Sequence, residues 1–376
     1  MQLLRSTWVE VNLELIKYNF IEIKKYIGKN VKVGAVLKAN AYGHGAIEIA
    51  KVLENEVDYL CVAGLNEALE LRNEKIETPI LVMGSIPDNY LKLAIEKNIS
   101  ITIYSYNQVI ILNDIANELK KKAIIHIKID TGFNRLGFKI EKDIVSVIKE
   151  IYNMDNIYVE GIFSHLALKD KDSDQLQYEK FKNLINLIYE ENIKIPIKHI
   201  SDSIGMVAYN NFSMDMVRVG ASIYGYNSRK SSLDLKAAMT FKSKLIQVKE
   251  IKKGEGVSYD YSFIAPKDMI LGTIPCGYSD GIPRTLSNKG FVNIDGKRAN
   301  IVGKMCMDQC MVDLSNIKNA QEGMEVIFYG EGGPDLLEVA NLAETNRNEI
   351  LAMVSRRVAR VYYENSELKN VVDYLV

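Results

Sequence analysis

The sequence predicts an α/β fold: an N-terminal (β/α)8 TIM-type barrel followed by a mostly β C-terminal domain. Two observations predict it. From about residue 30 to residue 220, short β-rich runs alternate with amphipathic helical stretches, the mark of parallel β/α units. After about residue 235 the alternation stops, and short runs rich in β-formers come with Gly-containing turns instead.

The candidate barrel strands are Val33–Leu37, Tyr59–Val62, Ile80–Met83, Ile101–Tyr104, Ile124–Ile129, Tyr158–Phe163, Ile197–Ile200 and Met216–Val219. Between them lie runs of helical period, such as Ile47, Ile49, Val52 and Leu53, or Phe181, Leu184, Ile185, Leu187 and Ile188. Eight such units close a barrel, in somewhat fewer than the roughly 250 residues typical of one. An open doubly wound sheet is the alternative that the same alternation permits. In the second part, strands are expected at Lys244–Val248, Met269–Ile274, Val292–Ile294, Ala299–Val302 and Met311–Val312, with helices at Leu336–Glu344 and Asn348–Val358. The domain boundary is placed at 232/233. Thr7–Leu13 alternates like a strand, so residues 1–13 are expected to pair with the second domain although they precede the barrel.

The 376 residues, 47% of them hydrophobic, suffice for a large core. With 47 basic and 48 acidic residues the net charge is -1, which argues against nucleic-acid or polybasic membrane binding. The four cysteines, Cys61, Cys276, Cys306 and Cys310, are too scattered for a disulfide scaffold, and Cys306 with Cys310 lacks a second pair or His cluster to complete a metal site. Charges interrupt every apolar stretch short of the roughly 18 residues a membrane span needs, and the expectation is a cytoplasmic protein with no metal.

Barrel chemistry sits at the C-terminal ends of the strands. There the sequence places Lys38 after strand one, His126, Lys128 and Asp130 on one face of strand five, Ser164 and His165 after strand six, His199, Ser201 and Ser203 on and after strand seven, and Arg218 with Gly220 at strand eight. A lysine at a buried strand end loses solvation, which lowers its pKa and makes its amine nucleophilic; the plain alternative is a lysine reaching to solvent. Lys128 between Ile127 and Ile129 is costly in a barrel lumen unless paired or modified. It pairs with Asp130 or a neighbour, or takes up carbon dioxide as a carbamate able to hold Arg135. Gly220 and the following amides suit a phosphate after the last strand. The second domain offers Val257-Ser-Tyr-Asp260, Gly277-Tyr-Ser-Asp-Gly281 and Met305-Cys-Met-Asp-Gln309.

Taken together these segments resemble the alanine racemase family. The resemblance rests on Ala35-Val-Leu-Lys-Ala-Asn-Ala-Tyr-Gly-His-Gly45, His126-Ile-Lys-Ile-Asp-Thr-Gly132, Arg135-Leu-Gly137, Arg218-Val-Gly220, Tyr224-Gly225, Val257-Ser-Tyr259, Pro275 to Gly281 and Met305-Cys-Met-Asp308, in order along nearly the whole chain. It implies a pyridoxal 5'-phosphate (PLP) enzyme that interconverts L- and D-alanine, works as a homodimer with shared active sites and supplies D-alanine for a bacterial cell wall. It implies that Lys38 holds the cofactor and acts as one base, with Tyr259 of the partner subunit as the opposite base. Arg218, supported by His199, would face the pyridine nitrogen, and His165 would tune the tyrosine. Tyr42, Ser203, Gly220 and Ala221 would contact the phosphate. Arg135, oriented by a carbamylated Lys128, would meet cofactor and substrate carboxylate. Tyr278 and Met307 would line the entry.

Four positions depart from the family pattern. Asn134 and Asp260 stand where glycine is usual, and Asp202 stands where asparagine is usual. Asn348, in Thr345-Asn-Arg-Asn-Glu349, stands where a tyrosine usually touches the phosphate and narrows the pocket. The smaller, polar Asn348 implies a roomier pocket that accepts serine beside alanine, or serine as the main substrate. The rival readings are a PLP-dependent amino-acid decarboxylase and a non-catalytic PLP-binding protein. The first lacks its Gly-rich phosphate loop here, and the second is usually a single barrel.

Overall fold

The computed structural model describes residues 3–227 and 232–376, which form two compact units. One holds residues 17–41, 46–227 and 232–235; the other holds residues 3–16, 42–45 and 236–376.

The first unit is built on eight parallel strands: Lys32–Val36, Tyr59–Val62, Ile80–Val82, Ile99–Ile103, Ala123–Asp130, Ile157–Phe163, Ile197–His199 and Met216–Val219. They pair in chain order, with the eighth beside the first. The seventh and eighth are joined by the Asp202–Arg218 bridge and by the Arg218 amide donating to the Ser201 carbonyl at 3.0 Å. The sheet thus curls into a nearly closed ring rather than an open doubly wound sheet. Runs such as Tyr-Leu-Cys-Val and Ile-Ser-Ile-Thr-Ile are buried at every position, as strands covered on both faces must be. The intervening helices bury one stripe: Ala46, Ile49, Ala50 and Leu53 in the helix Ala46–Leu53, and Tyr178, Phe181, Leu184 and Ile188 in Lys171–Glu190, which Asp170 caps. Leu187 falls off that stripe and is exposed.

The sixth strand carries an irregularity. Val159 pairs with Ile125 and Gly161 with His126, so Glu160 is an extra residue opposite no partner, a β-bulge.

The second unit has a seven-stranded sheet in which Thr7–Asn12 lies between Met239–Lys244, antiparallel, and Ala359–Glu364, parallel. A three-stranded sheet follows, Gln247–Ile251, Met269–Ile274 and Cys310–Asp313. Two expectations need correction. The run Lys244–Val248 is not one strand: the Leu245 amide bonds Met324 while the Ile246 amide bonds Thr273, so the chain passes between sheets there. The helix expected over Asn348–Val358 runs only Arg347–Ala352. Beyond it the fully buried Arg360 takes the carbonyls of Val354, Ser355 and Val358 at 2.8, 2.6 and 2.6 Å, so the backbone groups a helix would use serve a guanidinium instead.

Asp280 organises the loops of this unit. Fully buried, it accepts from Arg5 at 2.6 Å, from Arg357 at 3.1 Å and from the Gly277 amide at 2.9 Å, and Arg357 continues to Asp308 at 2.7 Å. The motif segments Gly277–Gly281 and Met305–Gln309 therefore share one ionic hub. Asp280→Ala leaves Arg5 without its carboxylate and Arg357 with Asp308 alone, and should cost about 3 kcal/mol in chemical denaturation; a loss under about 0.5 kcal/mol, ordinary for a surface change, would remove this role.

Candidate active site

Lys38 lies two residues past the end of the first barrel strand, half-buried. Burial lowers its pKa, and the nearby Arg135 lowers it further. The chain after it is strained. Ala39, Asn40, Ala41 and Tyr42 have φ of 53°, 54°, 53° and 52°, a left-handed turn of four residues, none of them glycine. Each costs roughly 1–2 kcal/mol there. The turn is held by Glu67, which accepts from the Ala39 amide at 2.7 Å, and by Asn40, which accepts from the Ala46 amide at 2.8 Å. In the other unit Arg360 donates to the Gly43 carbonyl and Tyr362 to the His44 carbonyl. A glycine is required at position 43, because a Cβ would lie 2.2 Å from the Leu351 carbonyl oxygen.

Arg218 lies inside the barrel with 4% exposure. Its guanidinium donates to His199 Nδ1 at 2.6 Å, to the carbonyls of Ser164 at 2.9 Å and Ile200 at 3.1 Å, and to His165 Nδ1 at 3.4 Å. All of these acceptors are neutral. Burial and the Arg218 charge push His165 down to about 3 and His199 well below its ordinary value, so both imidazoles are neutral. Phe163 underlies the group: His199 stacks on its ring at 4.7 Å, and Arg218 and Lys128 lie over it at 5.2 and 5.5 Å.

Lys128 donates to the Ile129 carbonyl at 2.8 Å and does not pair with Asp130, whose Oδ1 accepts the amides of Gly132 and Asn134. Burial and Arg218 bring its pKa down to about 7. Arg135 is exposed and stacks on Phe133, 4.4 Å from the ring centroid; that ring in turn lies 5.1 Å from His165. Ser203 Oγ accepts the Gly220 amide at 2.9 Å and the Ser222 amide at 3.5 Å, which gathers Ser203, Gly220 and Ala221 into one turn after the last strand. Asp202 turns its carboxylate onto the amides of Ile204 and Gly205 as a helix cap.

The structure thus brings Lys38, Lys128, Arg135, His165, His199, Ser203, Arg218, Gly220 and Ala221 to one barrel. The remaining candidates belong to the β unit. Tyr259, 64% exposed, sits in a turn where Ser258, Asp260 and Tyr261 have φ of 64°, 56° and 44°. Asp260 pairs with Lys304. Met307 and Tyr278 are also exposed, and the Gly277–Ser279 turn packs on Cys306 and Met307 through the Tyr278 and Ser279 amides. Tyr42 falls in this unit, as does Asn348, exposed in the first turn of Arg347–Ala352.

Residues 11–228 match the family model "Alanine racemase, N-terminal domain" and residues 238–362 match "Alanine racemase, C-terminal domain". The chain belongs to the alanine racemase family. It is 40% identical to alanine racemase 2 of Caldanaerobacter subterraneus subsp. tengcongensis, over 99% of this chain and 98% of that one. It is 38% identical to the alanine racemase of Clostridium tetani, over 99% of both. The solved alanine racemase of Clostridium difficile 630 superposes with a TM-score of 0.97 at 37% identity, covering 100% of both chains. That of Bacillus anthracis with bound L-Ala-P gives 0.93 at 29%, covering 100% of this chain and 99% of that one. The protein is therefore a racemase, an isomerase acting on a small amino acid.

Enzymes of this family use PLP, and the barrel rim of this racemase fits that group. Lys38, Lys128 and Arg218 each feel neighbouring cations as well as the carboxylates of Glu67, Asp130 and Asp202, and among the described residues the Arg218 guanidinium is hydrogen-bonded to no carboxylate, so the rim has room for further anions. A phosphate, a phenolic oxygen and a substrate carboxylate would supply them. Among the described residues no helix is long and apolar enough to cross a membrane.

The residue roles drawn from motifs overlooked Phe133 and Phe163, the surfaces on which the cations and imidazoles rest. The one signal for Phe163 is its place two residues before His165, where side chains share a strand face.

An unfolded lysine titrates near roughly 10.4, and folded Lys128 at about 7. Between those values the unfolded chain holds the extra proton, so stability rises with pH. In bicarbonate-free buffer, Lys128→Met should raise stability near pH 7 and flatten its dependence up to about pH 10. Denaturation curves across that range check this; parallel curves for the two proteins would refute the lowered pKa.

Proposed function

We propose that this racemase interconverts L- and D-alanine with PLP by two bases on opposite faces of the α-carbon, Lys38 and the Tyr259 of a second copy. The observation that carries the reading is the Lys38 amine at the barrel rim, its proton affinity lowered by burial and its surroundings rich in fixed cations. The bound cofactor supplies the electron sink that acidifies the α-proton. Lys38 Nζ removes or returns the proton on one face and Tyr259 Oη on the other, so either enantiomer can enter and either can leave.

Neutral His165 accepts from Arg218 at Nδ1 and so carries its own proton on Nε2. That proton is available to a phenolate oxygen, the form Tyr259 takes when it acts as a base. Arg218 cannot lose its proton and would present a fixed donor to the ring nitrogen, with His199 holding it. Tyr42, Ser203, Gly220 and Ala221 would hold the phosphate. Arg135 would take the substrate carboxylate, with the Met307 amide and Tyr278 at the entry.

Lys128 fits carbamylation, since its lowered proton affinity leaves much of the amine neutral near pH 7 and both Arg218 and Arg135 act on it as neighbouring cations. Uptake of carbon dioxide by the neutral amine forms the N–C bond, opens one C=O π bond and releases one proton, turning a neutral group into an anion. Bicarbonate should then remove the pH slope described above.

Shared sites require a homodimer. The exposure of Tyr259, Tyr278 and Met307 supports this, because these large side chains leave much of their surface uncovered within the single chain. Lys38→Ala and Tyr259→Phe should each lower alanine racemisation by about 10²–10⁴-fold. Co-refolding the two inactive variants should restore activity, because the mixed dimer regains one site with both bases. No restoration would mean that both bases come from one chain.

Serine turnover beside alanine is the second reading, favoured by Asn348. A side chain with donor and acceptor capacity can satisfy a substrate hydroxyl that an apolar wall would strand. Asn348→Tyr should lower kcat/KM for serine by about tenfold more than for alanine, a difference of one hydrogen bond. Chiral chromatography of both reactions checks this, and equal losses would refute the pocket argument.

A further inference from the structure

The buried guanidinium of Arg218 begins a chain of hydrogen bonds that crosses the barrel interior. His199 Nε2 lies 2.9 Å from His126 Nδ1, and His126 Nε2 lies 3.1 Å from Glu160 Oε2. Ser100 donates to the same carboxylate oxygen at 2.6 Å, and Tyr59 also bonds Glu160. Burial opposes the Glu160 charge, but the hydrogen bonds from His126 and Ser100 outweigh it, and the carboxylate is ionised. Both imidazoles are neutral, since burial lowers the pKa of each.

Only one proton arrangement satisfies this chain. Arg218 can only donate, so His199 Nδ1 accepts and its proton is on Nε2. His126 Nδ1 must then accept from His199, which puts its own proton on Nε2, facing a carboxylate that can only accept. The backbone is shaped for this. Glu160 is the extra residue of a bulge, a device that re-aims a side chain and is uncommon between parallel strands. Gly161 beside it leaves room for the imidazole, because a Cβ there would lie 2.3 Å from His126 Nδ1.

We infer that Glu160 is a positioning residue for the racemisation reaction: through His126 and His199 it fixes both imidazoles as Nε2–H tautomers and so holds Arg218 in one orientation. The inference rests on the proposal that Arg218 faces the cofactor ring. Glu160 touches no reacting atom. It is the terminal acceptor of the chain, and its negative charge lies in the barrel with a guanidinium whose immediate acceptors are all neutral.

The chain has four histidines, so imidazole 15N NMR of the histidine-labelled holoenzyme can resolve each ring. His126 and His199 should both show protonated Nε2 and unprotonated Nδ1. Glu160→Gln keeps a carbonyl acceptor, and Ser100 and Tyr59 can turn to accept from its amide. It should keep both tautomers and most of the activity. Glu160→Ala strands the His126 N–H; it should perturb the His126 and His199 signals and lower kcat by about tenfold. Three results would overturn the inference: either histidine in the other tautomer in the wild-type protein, unchanged kcat and His199 signal in Glu160→Ala, or Glu160→Gln falling as far as Glu160→Ala. The tautomers are read without turnover. A wild-type protein with the stated tautomers and no alanine racemisation would therefore sink the functional proposal alone.

Discussion

A buried guanidinium that hydrogen-bonds only imidazoles and main-chain carbonyls governs the interior of this barrel. Removing a charge from water costs several kcal/mol unless its surroundings repay it. Arg218 is repaid by two main-chain carbonyls and two imidazoles. The carbonyls are available because the ends of strands six and seven leave Ser164 and Ile200 free of a regular ladder just where the guanidinium arrives. The imidazoles are available because the same charge, added to burial, keeps them from protonating.

That one cation also sets the chemistry of the amines around it. Lys128 loses proton affinity to burial first and to Arg218 second, and Lys38 to burial and then Arg135. A site that collects cations in this way is poor in stability and rich in function. The arginines make the lysine protons easier to lose, and the set gains most from an anionic ligand. The strained left-handed turn after Lys38 belongs to the same economy of form, since its unfavourable dihedrals persist only because Glu67 and Asn40 hold it.

Much of this was legible in the sequence. Alternating β and helical runs located all eight barrel strands to within two residues at each end, because fully buried parallel strands are continuous apolar runs with little to confuse them. Polar residues at strand ends picked out side chains that the structure gathers in one barrel, Lys38, Lys128, His165, His199 and Arg218 among them, because strand-end positions project to one rim. What escaped has a common cause. The Glu160 bulge, the break at Leu245–Ile246 and the carbonyl cage of Arg360 all depend on which backbone groups find partners far along the chain. Local periodicity carries no information about that. Arg360, to which no role is assigned from the sequence, is fully buried.

The four departures from the family pattern divide on physical grounds. Asn134 and Asp260 replace glycine at φ of 57° and 56°, and asparagine and aspartate are the residues that most readily follow glycine into that region. Asp260 also gains Lys304 as a partner. Asp202 replaces asparagine at a helix cap, where the two are nearly equivalent acceptors. Each of these changes preserves what the backbone requires. Asn348 answers no such requirement. Asn346, not Asn348, caps the helix Arg347–Ala352, and Asn348 has neither a positive φ nor a burial demand to meet. A position that the fold leaves free and the family fills with a large aromatic is one where the choice of side chain acts on what lies outside the chain. Of the four, Asn348 is the one that the fold itself does not explain, and it is the one on which the serine proposal rests.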